Sequence, residues 1–360
     1  METEPEAADV FVGGADGIHT YRIPSLLVAP GGELLAFCEA RKQSQKDASP
    51  TDMVIKRSAD GGGTWSATQI VLAGQGQEAI MNPCPVADGQ TILLFCINAH
   101  KTDRGRHRQL LMRSTDDGRT WTSPADITDE IASGYDTFVP GPGVSIRMRS
   151  GRLVVPGYTN DYTANRERTD SRSRVVYSDD HGRSWTLGSP IAFPLSNESQ
   201  VVELADGALR INFRIQRELS AHPRCRGTAI SRDGGQTWSE PVLDHALNDP
   251  VCQGGFVRYS LTATGGGNRL LFSNLDSHPG PGKVRRRMTV RLSYDEGQTW
   301  PVARLIDPGR AAYSCPAVLP DGRIALLYEC GEESANERIR LARFSLDWLT
   351  EGKDIAGERP

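Results

Sequence analysis

Short runs of β-branched and aliphatic residues recur along the whole chain, separated by polar turns rich in glycine and aspartate, and this pattern favours many short strands over long helices. Five such runs, MVIKRS, QLLMRS, RVVYS, GTAIS and MTVRLS, each lead into one copy of the pattern S-x-D-x-G-x-[TS]-W. The copies are Ser58–Trp65, Ser114–Trp121, Ser178–Trp185, Ser231–Trp238 and Ser293–Trp300, with first residues 56, 64, 53 and 62 positions apart. Array-like spacing of this kind marks a repeat architecture. The motif itself reads as a turn: Asp can accept from amides of its own loop, Gly can take positive φ, and the Thr or Ser hydroxyl adds a local bond. The closing Trp packs the turn onto the body, so the boxes are expected to be scaffold, on turns away from any site.

Between the boxes lie further strand candidates: ELLAFCEA, TILLFCIN, GRLVVPGY, ALRINFR, RLLFSN, RIALLYE and RLARFSL. Roughly four strands per interval of about 60 residues is the content of a propeller blade. Five boxed intervals and a boxless remainder predict an all-β, six-bladed β-propeller. The remainder combines N-terminal strands with RIALLYE and RLARFSL and closes the ring. One domain is expected over residues 10–350, with tails at 1–9 and 351–360 and a short helix at Leu346–Leu349.

Composition narrows the function classes. The net charge of −4 and pI near 6.0 give no field that would gather nucleic acid. No apolar run approaches the roughly 18 residues needed to span a bilayer. The acidic start METEPEAADV lacks an apolar signal core, so a cytoplasmic location is expected, or a secreted one if this sequence is a processed form. Seven scattered cysteines (38, 84, 96, 225, 252, 315 and 330) form no CxxC pair and read as buried thiols. The histidines form no HxxxH or HExxH pattern, and neither a metal nor another cofactor is expected.

A propeller gathers strand ends from every blade around a central depression, which directs attention to polar residues at the ends of strand-like runs. Five segments qualify: Tyr21-Arg22-Ile23-Pro24, the polar stretch from Glu39 and Arg41 through Asp47 and Asp52, Glu198 with the strand ending at Arg214, the Arg285–Arg287 run, and the segment holding Tyr313 and Glu329. Taken singly, each of these has a bland reading as an ion-pair partner or a solvated loop residue.

The combination of YRIP, EAR followed by an Asp loop, MNPCP, GPG before GRLVVPGY, NESQVVEL, INFR, LLFSN and AYS, interleaved with the five boxes, closely resembles the exo-α-sialidases (neuraminidases) of bacterial and animal type. The resemblance runs from about Val10 to Leu349. The boxes correspond to the family's Asp boxes, which other propellers share; YRIP, NESQ and AYS in this order are more specific. The resemblance implies that Arg22, Arg214 and Arg285 bind the sialic acid carboxylate. Thr289 sets the register that selects Arg285, and Arg286 and Arg287 are the other candidates. It implies further that Tyr313 is the nucleophile, Glu198 its partner, and Asp47 the acid/base. Glu329 would hold Arg22, with Glu39 as competitor, and Arg41 and Met81 would face the sugar. Cys315-Pro316 stands where the family commonly has Asp-Leu. The Asn197-Glu198-Ser199 sequon is read as coincidental, since a glycan there would cover the proposed base.

These residue types suit that chemistry. A sialoside carries a carboxylate on its anomeric carbon, so a neutral phenol avoids the repulsion that an Asp or Glu nucleophile would meet. It needs a carboxylate to take its proton. Guanidinium forks suit a carboxylate and stay charged at any working pH. Asp47 must donate to the leaving group and then accept from water, which asks for a raised pKa in the bound state and a mildly acidic optimum. The expected function is hydrolysis of terminal α-linked sialic acids on oligosaccharides, glycoproteins or glycolipids, with retention through a tyrosyl-enzyme intermediate. The alternatives are a non-catalytic sialic-acid-binding propeller, which has no use for Asp47, Glu198 and Tyr313 together, and a trans-sialidase, which needs an acceptor platform.

Overall fold

The computed structural model describes residues 5–100, 107–131, 138–162, 168–216, 223–264, 267–277 and 285–354. Among them the fold is all-β, the helical segments being Thr128–Ile131, Leu346–Thr350 and two single turns. Every strand-like run singled out above lies wholly or mainly in a strand, and Ser345 caps the last helix by accepting from the Trp348 amide.

The strands form four sheets built from antiparallel meanders of four. One sheet holds two of them, Thr20–Val28, Leu34–Arg41, Thr51–Ser58, Gln69–Leu72 and then Glu78–Asp88, Thr91–His100, Arg108–Ser114, Ala125–Asp126, joined by a parallel contact between Thr51 and Ala79. The next two sheets are one meander each, from Phe138–Pro140 to Thr186–Leu187 and from Ser196–Glu203 to Val242–Asn248. The last sheet runs from Gly255–Ser260 through the 17-residue strand Val302–Val318 to Arg338–Phe344, where Glu6–Val12 adds as the edge. The long strand ends one meander and begins the next. The N-terminal strand starts at Glu6, inside the stretch expected to be a tail, because its backbone pairs with Arg338–Phe344. Asp354, also expected in a tail, is buried and grips Arg269 at 2.7 and 2.5 Å.

The second strand of the first meander, Leu34–Arg41, is buried along its whole length. Side-chain alternation explains this: Leu34, Ala36, Cys38 and Ala40 enter one core, while Leu35 and Phe37 enter another. Ile324, Leu326 and Tyr328 likewise face a different core from Ala325 and Leu327. Six cores result, each between successive meanders, and one of them joins Leu26 and Leu34 near the N-terminus to Leu327 and Leu341 near the C-terminus.

All five boxes have the same internal bonding. In the third, Ser178 Oγ bonds Asp180 Oδ1 at 2.8 Å and accepts from the Gly182 amide at 2.8 Å, while Ser184 gives Asp180 its amide at 2.9 Å and its hydroxyl at 2.6 Å. Two box tryptophans reach back onto the preceding meander, Trp121 edge-on to Phe37 and Trp185 edge-on to Phe95, while Trp300 packs on Phe256 and Phe272 of its own. Five arginines from a neighbouring meander fix each box from behind by donating to its carbonyls: Arg57 to Gly118, Arg113 to Gly182, Arg152 to Gly234, Arg210 to Glu296 and Arg343 to Gly61.

Candidate active site

In an antiparallel meander, the first and third turns share one end and the second turn shares the other with the start of the first strand. The boxes are third turns, and the first turn meets them: the Gly31 amide donates to Asp117 Oδ1 at 3.2 Å. The loop carrying Asp47 is a second turn. Arg22, Met81, Glu198 and Tyr313 all lie toward the starts of first strands, on the face opposite the boxes.

A β-bulge interrupts the first strand at each of these four places. Register shifts occur between Arg22 and Ser25, Met81 and Cys84, Ser196 and Ser199, and Ala311 and Ser314. A bulge bends the strand and re-aims the side chains beside it. Proline follows in YRIP and MNPCP, and Ile23 and Asn82 take positive φ of 60° and 58°.

Three residues from distant segments meet at the centre of the site. Tyr313 donates its hydroxyl to Glu198 Oε1, and Arg214 Nη1 donates to Glu198 Oε2 at 2.5 Å and to the Tyr313 oxygen at 3.2 Å. The guanidinium carbons of Arg22 and Arg285 stand 5.4 and 5.7 Å from the centre of the Tyr313 ring. Arg286 lines a separate depression and Arg287 is exposed with its Nη2 3.9 Å from Asp276, so of the three consecutive arginines Arg285 is the one over the tyrosine.

Beneath them lies Glu329, which has no exposed surface. It takes Arg22 Nε at 2.7 Å and Nη2 at 3.2 Å, and its oxygens also accept the amides of Ile23 at 2.8 Å and Tyr313 at 3.2 Å. One buried carboxylate thus fixes an arginine and the backbone of the tyrosine. Burial opposes the Arg22 charge, but Glu329 outweighs it and the guanidinium is held more firmly protonated than usual. Burial and then the Glu198 charge push the Tyr313 phenol well above its ordinary value, against the pull of Arg214 and Arg285.

A second cluster lies one strand away, since Arg22 and Glu39 are cross-strand partners. Glu39 holds Arg41 rather than Arg22: its Oε2 accepts Arg41 Nε at 2.9 Å and Nη2 at 2.6 Å, and its Oε1 accepts the Asn82 amide at 2.9 Å. Burial raises the Glu39 carboxyl even so, although Arg41 and Asn82 draw it down. Arg41 Nη1 also reaches Asp47 Oδ1 at 2.9 Å, and that carboxylate is 79% exposed on its loop. Met81 is half-buried beside Asn82.

Two further supports hold the site, of which the first escapes a sequence reading and the second is the GPG of the motifs. Asp249, fully buried, accepts the amides of Ile215 at 3.1 Å, Val251 at 2.8 Å and Cys252 at 3.2 Å, and the Val251 carbonyl in turn accepts from Arg285. It thereby ties the strand of Arg214 to the perch of Arg285; the Asp-Pro pair in NDPV is the one available cue. The second is the Gly141-Pro142-Gly143 turn, whose carbonyls accept from Ser199, Gln200, Gln253 and Ser25, residues from three separate segments of the chain. Gly143 has φ +131°, and a Cβ there would stand 2.7 Å from the Gln200 amide nitrogen, so a side chain is excluded.

All seven cysteines are free and buried, and no group of metal-ligating side chains is assembled among the described residues. No helix among them is long and apolar enough to cross a membrane.

The model of the BNR repeat-like domain matches residues 32–334. A sialidase of Micromonospora viridifaciens is 34% identical over 367 residues, covering 95% of this chain but only 54% of its own length, so the chain spans about half of that relative. Sialidase-3 of Mus musculus is 30% identical with 91% of both chains covered. Among solved structures, the Hadza microbial sialidase Hz136 superimposes with a TM-score of 0.83 at 29% identity, over 95% of this chain and 69% of that one.

Proposed function

The chain belongs to the sialidase family, and from that premise we propose that it is a glycoside hydrolase that removes terminal α-linked sialic acid from glycans with retention of configuration. The observation that carries this reading is the Tyr313–Glu198 pair, buried and ringed by Arg22, Arg214 and Arg285 over Glu329. A phenol bonded to a carboxylate inside three guanidiniums matches a substrate whose reacting carbon bears a carboxylate.

We infer the following course. The sugar carboxylate binds Arg22, Arg214 and Arg285, while Arg41 and Met81 contact the ring. Glu198 takes the Tyr313 proton as the phenol oxygen attacks the anomeric carbon. The bond to the aglycone breaks with a proton from Asp47. Asp47, now a carboxylate, takes a proton from water, the hydroxide displaces the phenolate from the same carbon, and Glu198 returns the proton to Tyr313. Two displacements leave the configuration as it began. Tyr313 keeps its proton firmly in the free protein, so transfer to Glu198 is coupled to attack rather than completed beforehand.

The fold supports the same reading. Six meanders with six cores between them, one of which joins the two ends of the chain, support a closed six-bladed β-propeller. Closure is what would bring Arg22 from the first meander beside Tyr313 of the last.

Release of fluorophore from an α-sialoside tests the reaction. Wild type is expected to turn over, Tyr313→Phe to lose at least about a thousandfold in kcat/KM, and Asp47→Asn to lose activity chiefly with poor leaving groups. NMR of the first-formed sugar is expected to show the α anomer. A β product overturns retention, and full activity of Tyr313→Phe overturns the assignment of the nucleophile. Transfer of the sugar to an added acceptor in place of release would identify a trans-sialidase.

A further inference from the structure

A surface depression of about 590 Å³ lies beside the Tyr313 strand on the face that carries the site. Its walls include Arg286, Arg310, Arg338 and Arg340 against only two carboxylates, Asp307 and Glu332. Two of these arginines are committed elsewhere: Arg340 Nε bonds Asp9 at 2.7 Å, and Arg338 shares Asp9, Glu332 and Glu337 at 3.7, 3.8 and 3.4 Å. Asp307 is engaged as well, accepting from the Tyr328 hydroxyl at 3.2 Å and the Gly309 amide at 2.7 Å.

Arg286 and Arg310 are different. They face each other as cross-strand partners, next to a bulge where Arg287 takes φ of 65°. Among the described residues neither has a carboxylate partner, and the Arg310 Nε donates only to the Glu332 carbonyl at 3.2 Å. Like charges directly opposite on adjacent strands destabilise a sheet, so their persistence breaks a local rule without a structural return. Such violations collect where a ligand resolves them. The position bears on the site: Arg286 follows Arg285, and Arg310 precedes Tyr313 by three residues on one strand, roughly 10 Å at the usual rise.

We propose that Arg286 and Arg310 form a subsite for a second oxyanion on the same glycan, the carboxylate of a further acidic sugar or a sulfate ester beyond the sialic acid held over Tyr313. The inference rests on the sialoside reading above and extends it from a terminal residue to its acidic neighbours. Two guanidiniums side by side bond one carboxylate or sulfate with charge-assisted hydrogen bonds, and the anion removes their mutual repulsion.

The test compares kcat/KM on three substrates: a monosialylated lactose, a disialylated lactose and a sulfated sialyllactose. Wild type is set beside Arg310→Gln and the double variant Arg286→Gln/Arg310→Gln, with a fluorogenic sialoside of uncharged aglycone as control. Removing the pair is expected to lower the ratio of kcat/KM on the disialylated or sulfated substrate to that on monosialylated lactose by about three- to tenfold, through KM, while turnover of the fluorogenic sialoside stays within twofold. The wild-type preference should shrink as ionic strength rises, because both side chains are exposed. The disialyl and sulfated arms separate the two sources of charge. Ratios unchanged in the double variant overturn the subsite alone. No release from the fluorogenic sialoside by wild type overturns the reaction and the subsite with it.

Discussion

Asp180 in the third box and Glu39 on the opposite face are both carboxylates, yet their proton affinities move in opposite directions. Asp180 is drawn down by the hydroxyl and amide of Ser184 and the hydroxyl of Ser178, all within its own turn. Glu39 is raised by burial, with Arg41 and the Asn82 amide only partly offsetting it. The five boxes repeat one local solution, in which residues four apart satisfy each other in water. The site face joins particular residues from across the molecule, as with Arg22 and Glu329, 307 positions apart. A local bond can be repeated by repeating its sequence. A buried charge pair depends on a place in the fold that occurs once.

The largest expected effect lies on the site face. Glu329→Gln removes the counter-charge of a buried arginine and the acceptor of one of the two amides, and should cost roughly 3–5 kcal/mol. It should also lower kcat/KM by more than about a hundredfold through misplacement of Arg22 and Tyr313. Chemical denaturation and sialoside kinetics measured together check both. Lost stability with normal kcat/KM would place Glu329 in the same class as the boxes and break the contrast.

Next in size is the box tryptophan. Trp185 is buried edge-on against Phe95, ring centres 4.7 Å apart, and Trp185→Ala should cost roughly 3–5 kcal/mol by opening a cavity between two meanders. Kinetics of the folded fraction should be unchanged, which sharpens the contrast; a fall in kcat/KM at full folding would blur it.

The smallest effect is a slope. The Thr120 hydroxyl and amide and the Ser114 hydroxyl hold Asp116 at about 2, below its unfolded value near 4. It therefore stabilises the fold above about pH 4, and that contribution disappears as the pH falls through about 2. Asp116→Asn should be less stable than wild type at neutral pH, with the difference closing between pH 4 and 2 in acid melts. Glu39 carries the opposite sign: a carboxyl raised by burial costs stability as the pH climbs above its unfolded value. A gap for Asp116→Asn that persists below pH 2 would show that its worth is not in the charge.

Of the residues that the motifs single out, Tyr313, Glu198, Arg214, Arg22, Arg285 and Glu329 lie in one cluster and Glu39, Arg41 and Asp47 in a second, joined by the Arg22–Glu39 register, with Met81 next to Asn82. Tyr313, Glu198 and the boxes could be read because each lies in a short distinctive string. The choice among Arg285, Arg286 and Arg287 rested on the register set by Thr289, and the geometry over Tyr313 selects the same residue. Which glutamate serves Arg22 was an open competition until Glu329 and Glu39 were seen to hold different arginines. Asp249 and the five arginines that fix the boxes carry no motif, since their partners are backbone groups that any sequence supplies.

Periodicity, turn chemistry and the box repeat by themselves determined the strands, their number per interval and the face each box would occupy, because those depend on bonds between residues close in sequence. Tertiary structure alone decided the bulges that aim Arg22, Glu198 and Tyr313, the partner of each buried charge, and the unpaired Arg286–Arg310 couple. Each of those depends on what lies across a strand or across the core, and the free energy of a buried charge is set by its surroundings rather than by its neighbours along the chain.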